Sequence, residues 1–183
     1  ISVDGATDQL LQKQFVPDVI LGDFDSISPE VKARFKNESC VYLPDQHKSD
    51  GEKAIQYCLE QGWSEIDVLG AFGKRLDHSI YNLGLLKTFE GKNLNLTFYQ
   101  AGETIQLINK SINLTHPVGT RISFFPLFGR IEDVTTTGLK YDIQGETLKL
   151  GSFSSLSNEF DQEEVSFKFP SGELILIIGS STS

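Results

Sequence analysis

The chain has 183 residues, with 16 Lys and Arg against 25 Asp and Glu, a formal net charge of −9 and 39% hydrophobic residues. That length and apolar content suit one large domain or two small ones and exclude a disordered polyelectrolyte. The acidic balance excludes a nucleic acid polymer or an anionic membrane surface as partner, because both require clustered Lys and Arg.

No stretch approaches the roughly 20 apolar residues of a membrane span, and the opening residues do not read as a charged-then-apolar leader. Cys40 and Cys58 are too few for a disulfide framework and lack metal-ligand spacing, so a reducing, cytoplasmic setting is expected. Methionine is absent altogether, which suggests a truncated start ahead of Ile1.

In chain order, residues 1–3, 19–21, 41–43, 66–69 and 94–98 are short apolar runs expected as strands of a mostly buried sheet. Helices are expected between them. Ser28 followed by Pro29 and Glu30 is an N-cap with Pro at the first helical position, opening a helix to about residue 36. Ser49-Asp50-Gly51-Glu52 matches a capping box, with Ala54, Ile55, Cys58 and Leu59 as the apolar stripe behind it. Asp77 is expected to cap a third helix with the stripe Ile80, Leu83, Leu86 and Phe89. Such alternation implies βαβ units and a parallel sheet.

Past about residue 95, helical periodicity ends. Runs rich in Val, Ile, Phe and Thr at 120–125, 134–137, 147–150, 165–169 and 174–178 alternate with turn signals at Gly119, Gly129, Gly138, Gly145 and Ser171-Gly172. This is the pattern of a sandwich or barrel. Two domains are expected: an α/β domain over 1–95 with a mostly parallel sheet, and an all-β domain over 96–183.

Ligands collect at the carboxyl ends of strands in an open parallel sheet. The first expected strand leads into Asp4-Gly5-Ala6 and the second into Gly22-Asp23-Phe24-Asp25-Ser26. The third leads into Pro44-Asp45-Gln46 and on to Ser49-Asp50, and the fourth into the glycine-rich residues 70–78. Four strands would thus deliver carboxylates, glycines and Arg75 to one edge. Asp23 and Asp25, two apart on an extended segment, would point the same way with Phe24 turned away. Converging carboxylates repel unless a cation lies between them, and oxygen-only ligation suits Mg²⁺. Taken alone, Asp23-Phe24-Asp25 is equally compatible with an acidic surface turn. Asp50 alone is better explained as a first-turn carboxylate stabilised by the helix dipole. Their shared edge favours a metal site. Lys53 lies on the helical face of Asp50, as an ion-pair partner or a phosphate ligand. Arg75 has the fork that grips a phosphate with two parallel hydrogen bonds. The glycine loop before it is not a P-loop, since no Gly-Lys-Ser/Thr follows. Together these residues form a kit for phosphoryl transfer, which is chiefly positioning and charge neutralisation.

The blocks Asp4-Gly5-Ala6, Gly22-Asp23-Phe24-Asp25-Ser26, Gln46 with Ser49-Asp50 and Glu52-Lys53-Ala54, and Gly70-Ala71-Phe72-Gly73-Lys74-Arg75-Leu76-Asp77-His78 with Asn82 resemble thiamine pyrophosphokinase in order and spacing. In the second half, Gly138-Leu139-Lys140-Tyr141, Leu150-Gly151 and Ser157-Asn158-Glu159-Phe160 agree. The resemblance implies an α/β domain with a β-sandwich, a homodimer with active sites at the subunit interface, and transfer of a pyrophosphoryl group from ATP to the hydroxyl of thiamine. It implies that Asp23, Asp25 and Asp50 hold Mg²⁺. It places Gln46, Lys53 and Arg75 on nucleotide or phosphates, Asp77, His78 and Asn82 around the same pocket, and Asp4 at the nucleotide edge. It places Ser157 and Asn158 on thiamine from the sandwich of the partner subunit, with Asp50 and Asp77 as candidates to receive the hydroxyl proton. The family's usual strand and glycine-rich turn ahead of Asp4 do not appear in this sequence. His47-Lys48 stand where the family often has an acidic residue and a His, and no Trp lies near Ser157. Two other readings draw on the same residues. One is an Asp-nucleophile, Mg²⁺-dependent phosphatase, though Ile27 stands where such enzymes usually carry Thr or Val. The other is a non-catalytic nucleotide or thiamine sensor, which has no need of three converging acids.

Overall fold

A computed structural model describes residues 1–35, 39–45, 47–73, 75–152 and 155–179. The chain forms two compact units, Ile1–Ile66 and Asp67–Ser183.

The first unit runs β1 (Ser2–Val3), α1 (Ala6–Gln12), β2 (Ile20–Gly22), α2 (Pro29–Arg34), β3 (Cys40–Tyr42) and α3 (Asp50–Glu60). The three strands form a parallel sheet with β2 in the middle. The central strand is the most apolar in sequence and all three of its residues are buried. Ile20, Ile27 and Val31 form its core, with Leu11, Phe24, Phe35 and Cys40 packed against them. Ser28 caps α2 as its sequence predicts: its Oγ accepts from the Val31 N–H at 3.4 Å, and Pro29 opens the helix. The same Oγ donates to Asp8 Oδ1 at 2.7 Å, which ties α1 to the start of α2. Ser49 caps α3 by accepting from the Glu52 N–H at 3.2 Å. Behind it Ile55 and Cys58 are buried, and Ala54 and Leu59 half-buried. Helix α1 carries no side-chain cap, and no sequence signal announces it.

Strand β4 (Glu65–Leu69) straddles the division. The second unit continues with α4 (Leu76–Thr88), β5 (Asn95–Gln100), β6 (Glu103–Ile108), β7 (Ile112–Thr115), β8 (Arg121–Phe125), β9 (Arg130–Thr137), β10 (Glu146–Lys149), β11 (Ser155–Glu159), β12 (Glu164–Lys168) and β13 (Leu174–Ile178). A four-stranded antiparallel sheet has the order β10-β9-β12-β7, and a six-stranded sheet the order β11-β8-β13-β6-β5-β4. One buried cluster draws Ile122, Phe124, Leu174 and Leu176 from the larger sheet and Val134, Leu148, Val165 and Phe167 from the smaller. Phe124 and Phe167 meet edge to face across it at 4.9 Å. This is the apolar layer of two facing sheets. The expected strand at 174–178 coincides with β13. The run at 134–137 begins earlier, at Arg130, and β6, β7 and β11 are not anticipated by the sequence pattern.

Three expectations are corrected. First, the expected strand at 94–98 forms as β5 antiparallel to β6, and β4 is the edge strand of the same six-stranded sheet and not a fourth strand beside β1–β3. Only Ile66 of its five residues is buried, the alternation of an edge strand and not a fully buried run. The four loops therefore do not leave one parallel sheet. Second, Asp77 does not cap α4. The helix begins at Leu76, with Arg75 at the cap position and no side-chain cap hydrogen bond. Third, Ile80 is not in the buried stripe: it is 64% exposed, and the buried face of α4 is Leu85 and Leu86, continued by Phe89.

Candidate functional site

In the first unit the site starts from strand pairing. The Asp4 N–H donates to the Leu21 carbonyl at 2.9 Å, which sets Asp4 just past β1 beside the end of β2. There β2 ends in Gly22, whose φ is +152°. A Cβ at Gly22 would lie 3.0 Å from the Asp4 Cβ, so glycine is what permits the approach. Beyond Gly22 the chain turns instead of running extended. Phe24 adopts a left-handed φ of +63°, and the Asp25 N–H donates to Asp23 Oδ1 at 3.3 Å. Ser26 Oγ donates to Asp25 Oδ1 at 2.7 Å. Asp23 and Asp25 do converge, but through this turn and not through strand alternation.

One carboxylate oxygen from each of Asp4, Asp23 and Asp25 lies within 4.8 Å of the others. Asp4 is only 5% exposed, and its Oδ1 is buried with no hydrogen-bond partner. Burial pushes its carboxyl up to about 6, helped by a hydrogen bond to Asp23 and by the charges of Asp23, Asp25 and Asp50. A buried, unpartnered carboxylate oxygen facing two more carboxylates needs a proton or a cation to complete it. The donors are all oxygen, which fits a hard divalent cation such as Mg²⁺. The strand-end reading puts Asp4 on the same edge as Asp23 and Asp25, and the resemblance implies a place at the nucleotide edge, but neither counts Asp4 among the metal ligands. The signals are present in Asp4-Gly5 and Gly22-Asp23, but only the pairing of β1 with β2 brings them together.

Asp50 stands apart from that trio. It is the first residue of α3, and its Oδ1 is 3.0 Å from Lys53 Nζ. Lys53 is buried and also donates to the Leu43 carbonyl at 3.2 Å, so its ammonium is fixed between the start of α3 and the chain leaving β3. The Asp50 charge still reaches Asp4 strongly enough to help raise its carboxyl.

The other expected site residues belong to the second unit, except Gln46, which lies outside the described residues, as does Lys74. Arg75 grips Asp77 with two bonds, Nε to Oδ1 at 3.1 Å and Nη2 to Oδ2 at 2.5 Å. That grip, with a further bond from the His78 N–H, holds the exposed Asp77 carboxyl down at about 2. His78 is exposed on the first turn of α4. Asn82 Nδ2 donates to the Ala71 carbonyl at 2.7 Å, fastening the glycine loop to α4. Ser157 is exposed on β11 with a left-handed φ of +55°. Its neighbour Asn158 is buried.

The family model described as "Thiamin pyrophosphokinase, catalytic domain" matches residues 1–98, and "Thiamin pyrophosphokinase, vitamin B1 binding domain" matches residues 108–174. The chain belongs to the thiamine pyrophosphokinase family. It is 30% identical to thiamin pyrophosphokinase 1 of Caenorhabditis elegans over 97% of this chain and 77% of that protein. It is also 30% identical to the thiamine pyrophosphokinase of Bacillus subtilis, over 97% of this chain and 85% of that one. The crystal structure of thiamine pyrophosphokinase from Bacillus subtilis superimposes with a TM-score of 0.86, at 29% identity, covering 98% of this chain and 86% of that chain. That from Geobacillus thermodenitrificans gives a TM-score of 0.83 at 28% identity, over 99% and 86%. The two family models part between residues 98 and 108, whereas the compact units divide at residue 66.

Proposed function

We propose that the chain is a thiamine pyrophosphokinase: it transfers the terminal pyrophosphoryl group of ATP to the hydroxyl of thiamine, releasing thiamine diphosphate and AMP. The observation that carries this reading is the convergence of Asp4, Asp23 and Asp25 around an orphaned, buried carboxylate oxygen, in a chain matched by both thiamine pyrophosphokinase family models. In the reaction the thiamine hydroxyl oxygen bonds to the β-phosphorus of ATP. The bond from that phosphorus to the bridging oxygen of the α-phosphate breaks, and AMP leaves with that oxygen.

Mg²⁺, when bound, neutralises triphosphate charge in flight. Asp23 and Asp25 would hold it, with Asp4 as the third near ligand and Asp50 from the start of α3. Lys53, fixed by Asp50 and the Leu43 carbonyl, offers a preorganised cation to a phosphate. Arg75 and Gln46 would bind nucleotide or phosphates, and Asp77, His78 and Asn82 would shape the same pocket. Asp77 is held ionised by Arg75, so it can accept the hydroxyl proton only once Arg75 turns to phosphate. Asp50 is the other candidate for that proton. Residues 1–95 would supply nucleotide and metal binding, and residues 96–183 thiamine contacts, including Ser157 and Asn158, and the dimer contact. We place the enzyme in the cytoplasm as a homodimer, following the family resemblance. No helix among the described residues is long and apolar enough to cross a membrane.

The comparisons do not favour the phosphatase or sensor readings. The test is chromatographic: the purified protein with thiamine, ATP and Mg²⁺ should form thiamine diphosphate, and chelating the metal should stop it. A protein that binds thiamine without product would support the sensor.

A further inference from the structure

Asp8 lies close in sequence to the carboxylate trio but is not one of the acids that converge. Both of its oxygens are taken by one residue. Its Oδ1 accepts from the Ser28 Oγ at 2.7 Å and its Oδ2 from the Ser28 N–H at 3.3 Å. A carboxylate that takes two bonds from one residue fixes direction as well as distance. Ser28 Oγ meanwhile accepts from the Val31 N–H at 3.4 Å, so one hydroxyl serves both the α2 cap and this link.

The two bonds join the segments that carry the trio. Asp4 precedes Asp8 by four residues, and Asp25 precedes Ser28 by three. Each segment contains a non-glycine residue of positive φ, Asp4 at +24° and Phe24 at +63°. Such backbone persists only where its surroundings over-determine it. On the strand side that hold is the pairing of β1 with β2, extended by the Asp4 N–H on the Leu21 carbonyl at 2.9 Å. On the far side, the start of α1 is stiff. The Thr7 N–H donates to the Asp4 carbonyl at 2.9 Å, and the buried Oγ1 of Thr7 lies 2.8 Å from Ser2 Oγ. The acidic turn runs alongside, since a Cβ on Gly5 would meet the Ser26 Cβ at 3.7 Å. Ile27 of the turn is buried in the cluster on which Leu11 of α1 also packs, but apolar packing is non-directional. The Asp8–Ser28 link supplies the directional closure at this end.

We propose that Asp8 and Ser28 are positioning residues of the cation site: their two bonds set the spacing of Asp4 from Asp23 and Asp25, and with it the affinity for a divalent cation. Neither residue would touch the cation. This rests on the metal reading above.

Mn²⁺, which oxygen donors bind much as they bind Mg²⁺, tests it in a titration without nucleotide, with free and bound ion resolved by electron paramagnetic resonance. Asp8→Ala leaves the α2 cap in place, because Ser28 Oγ can still accept from Val31. In protein whose circular dichroism matches wild type, it should raise the Kd for Mn²⁺ about 10-fold, as expected for ligands slightly out of place. Asp8→Asn keeps an oxygen for the Ser28 hydroxyl and should stay within about threefold of wild type. Ser28→Ala should weaken Mn²⁺ in the same direction and add little on top of Asp8→Ala, whereas Ser28→Thr keeps the hydroxyl and should restore binding. An unmoved Kd in folded Asp8→Ala would overturn the proposal. Equal losses in Asp8→Asn and Asp8→Ala would also overturn it, by assigning the effect to charge and not to the link. Full additivity of Asp8→Ala and Ser28→Ala would do the same. Wild-type protein that binds no Mn²⁺ would overturn it whether or not thiamine diphosphate forms. The expected Mn²⁺ pattern in a protein that makes no thiamine diphosphate would support the link and overturn only the enzymatic reading.

Discussion

Gly22 and Asp4 share a space that admits one side chain: a Cβ on Gly22 would stand 3.0 Å from the Asp4 Cβ and 3.2 Å from its Cγ. The backbone of Gly22, at φ +152°, is also one that L residues rarely adopt. Gly22→Ala should therefore push Asp4 out of the carboxylate trio. Activity should fall at least about 10-fold, and the Mg²⁺ concentration for half-maximal rate should rise, since a misplaced ligand is felt in the transition state. A metal titration of activity checks this. A variant within twofold of wild type at all Mg²⁺ concentrations would show that the close approach is not needed.

Asp23→Asn and Asp25→Asn keep shape and remove charge. Both residues lie at least partly open to solvent on the turn after β2, so the fold should survive. Turnover should drop by at least about 1000-fold, as for loss of a charge that neutralises phosphoryl transfer. Circular dichroism and a product assay on the same preparation separate folding from chemistry. Retained activity in Asp23→Asn would remove that residue from the metal set.

Asp4 gives a pH signature in the metal-free protein. Its folded carboxyl is raised from 3.8 to about 6 by burial and by Asp23. A raised carboxyl favours the protonated fold, so its stabilising contribution is full below about pH 3.8 and is lost as pH rises through about 6. Asp4→Asn cannot titrate. In chelator, the melting temperature of the variant relative to wild type should climb between pH 4 and pH 7, and Mg²⁺ should reverse the advantage by stabilising wild type only. A difference that stays flat with pH would contradict the buried, unpartnered state of Asp4.

Arg75 and Asp77 are paired but fully exposed, so their bond adds little to stability. Arg75→Ala should leave the melting temperature close to wild type and raise KM for ATP. A large loss of stability with unchanged KM would assign Arg75 to the fold and not to phosphate.

Much of the first unit is legible in the sequence because its signals are local. Ser28-Pro29 and Ser49 cap the helices they announce, and the apolar run at residues 19–21 marks the central strand β2. What the sequence hides depends on pairing between distant residues. Asp4 joins Asp23 and Asp25 only because β1 pairs with β2, and the same pairing sets Asp8 beside Ser28. Strand β4 looks like its predecessors in sequence, yet four of its five residues escape burial and it serves as an edge in the other sheet. Helix α4 forms where its sequence predicts, with Leu86 and Phe89 of the expected stripe buried beside Leu85, but Ile80, which fits the same 3.6-residue period, is exposed. Asp23 and Asp25 converge as their spacing suggests, though a left-handed Phe24 does the work assigned to strand alternation.

The net charge of −9 at first argues against any phosphate ligand. A cation held by Asp4, Asp23 and Asp25 would reconcile an acidic protein with a nucleotide, and the same field suits a cationic acceptor. The measurement that tests this account most directly is the nucleotide released per thiamine diphosphate formed, with AMP and ADP resolved. The account predicts AMP and thiamine diphosphate in equal amounts. ADP with thiamine monophosphate, or inorganic phosphate formed without thiamine, would contradict it.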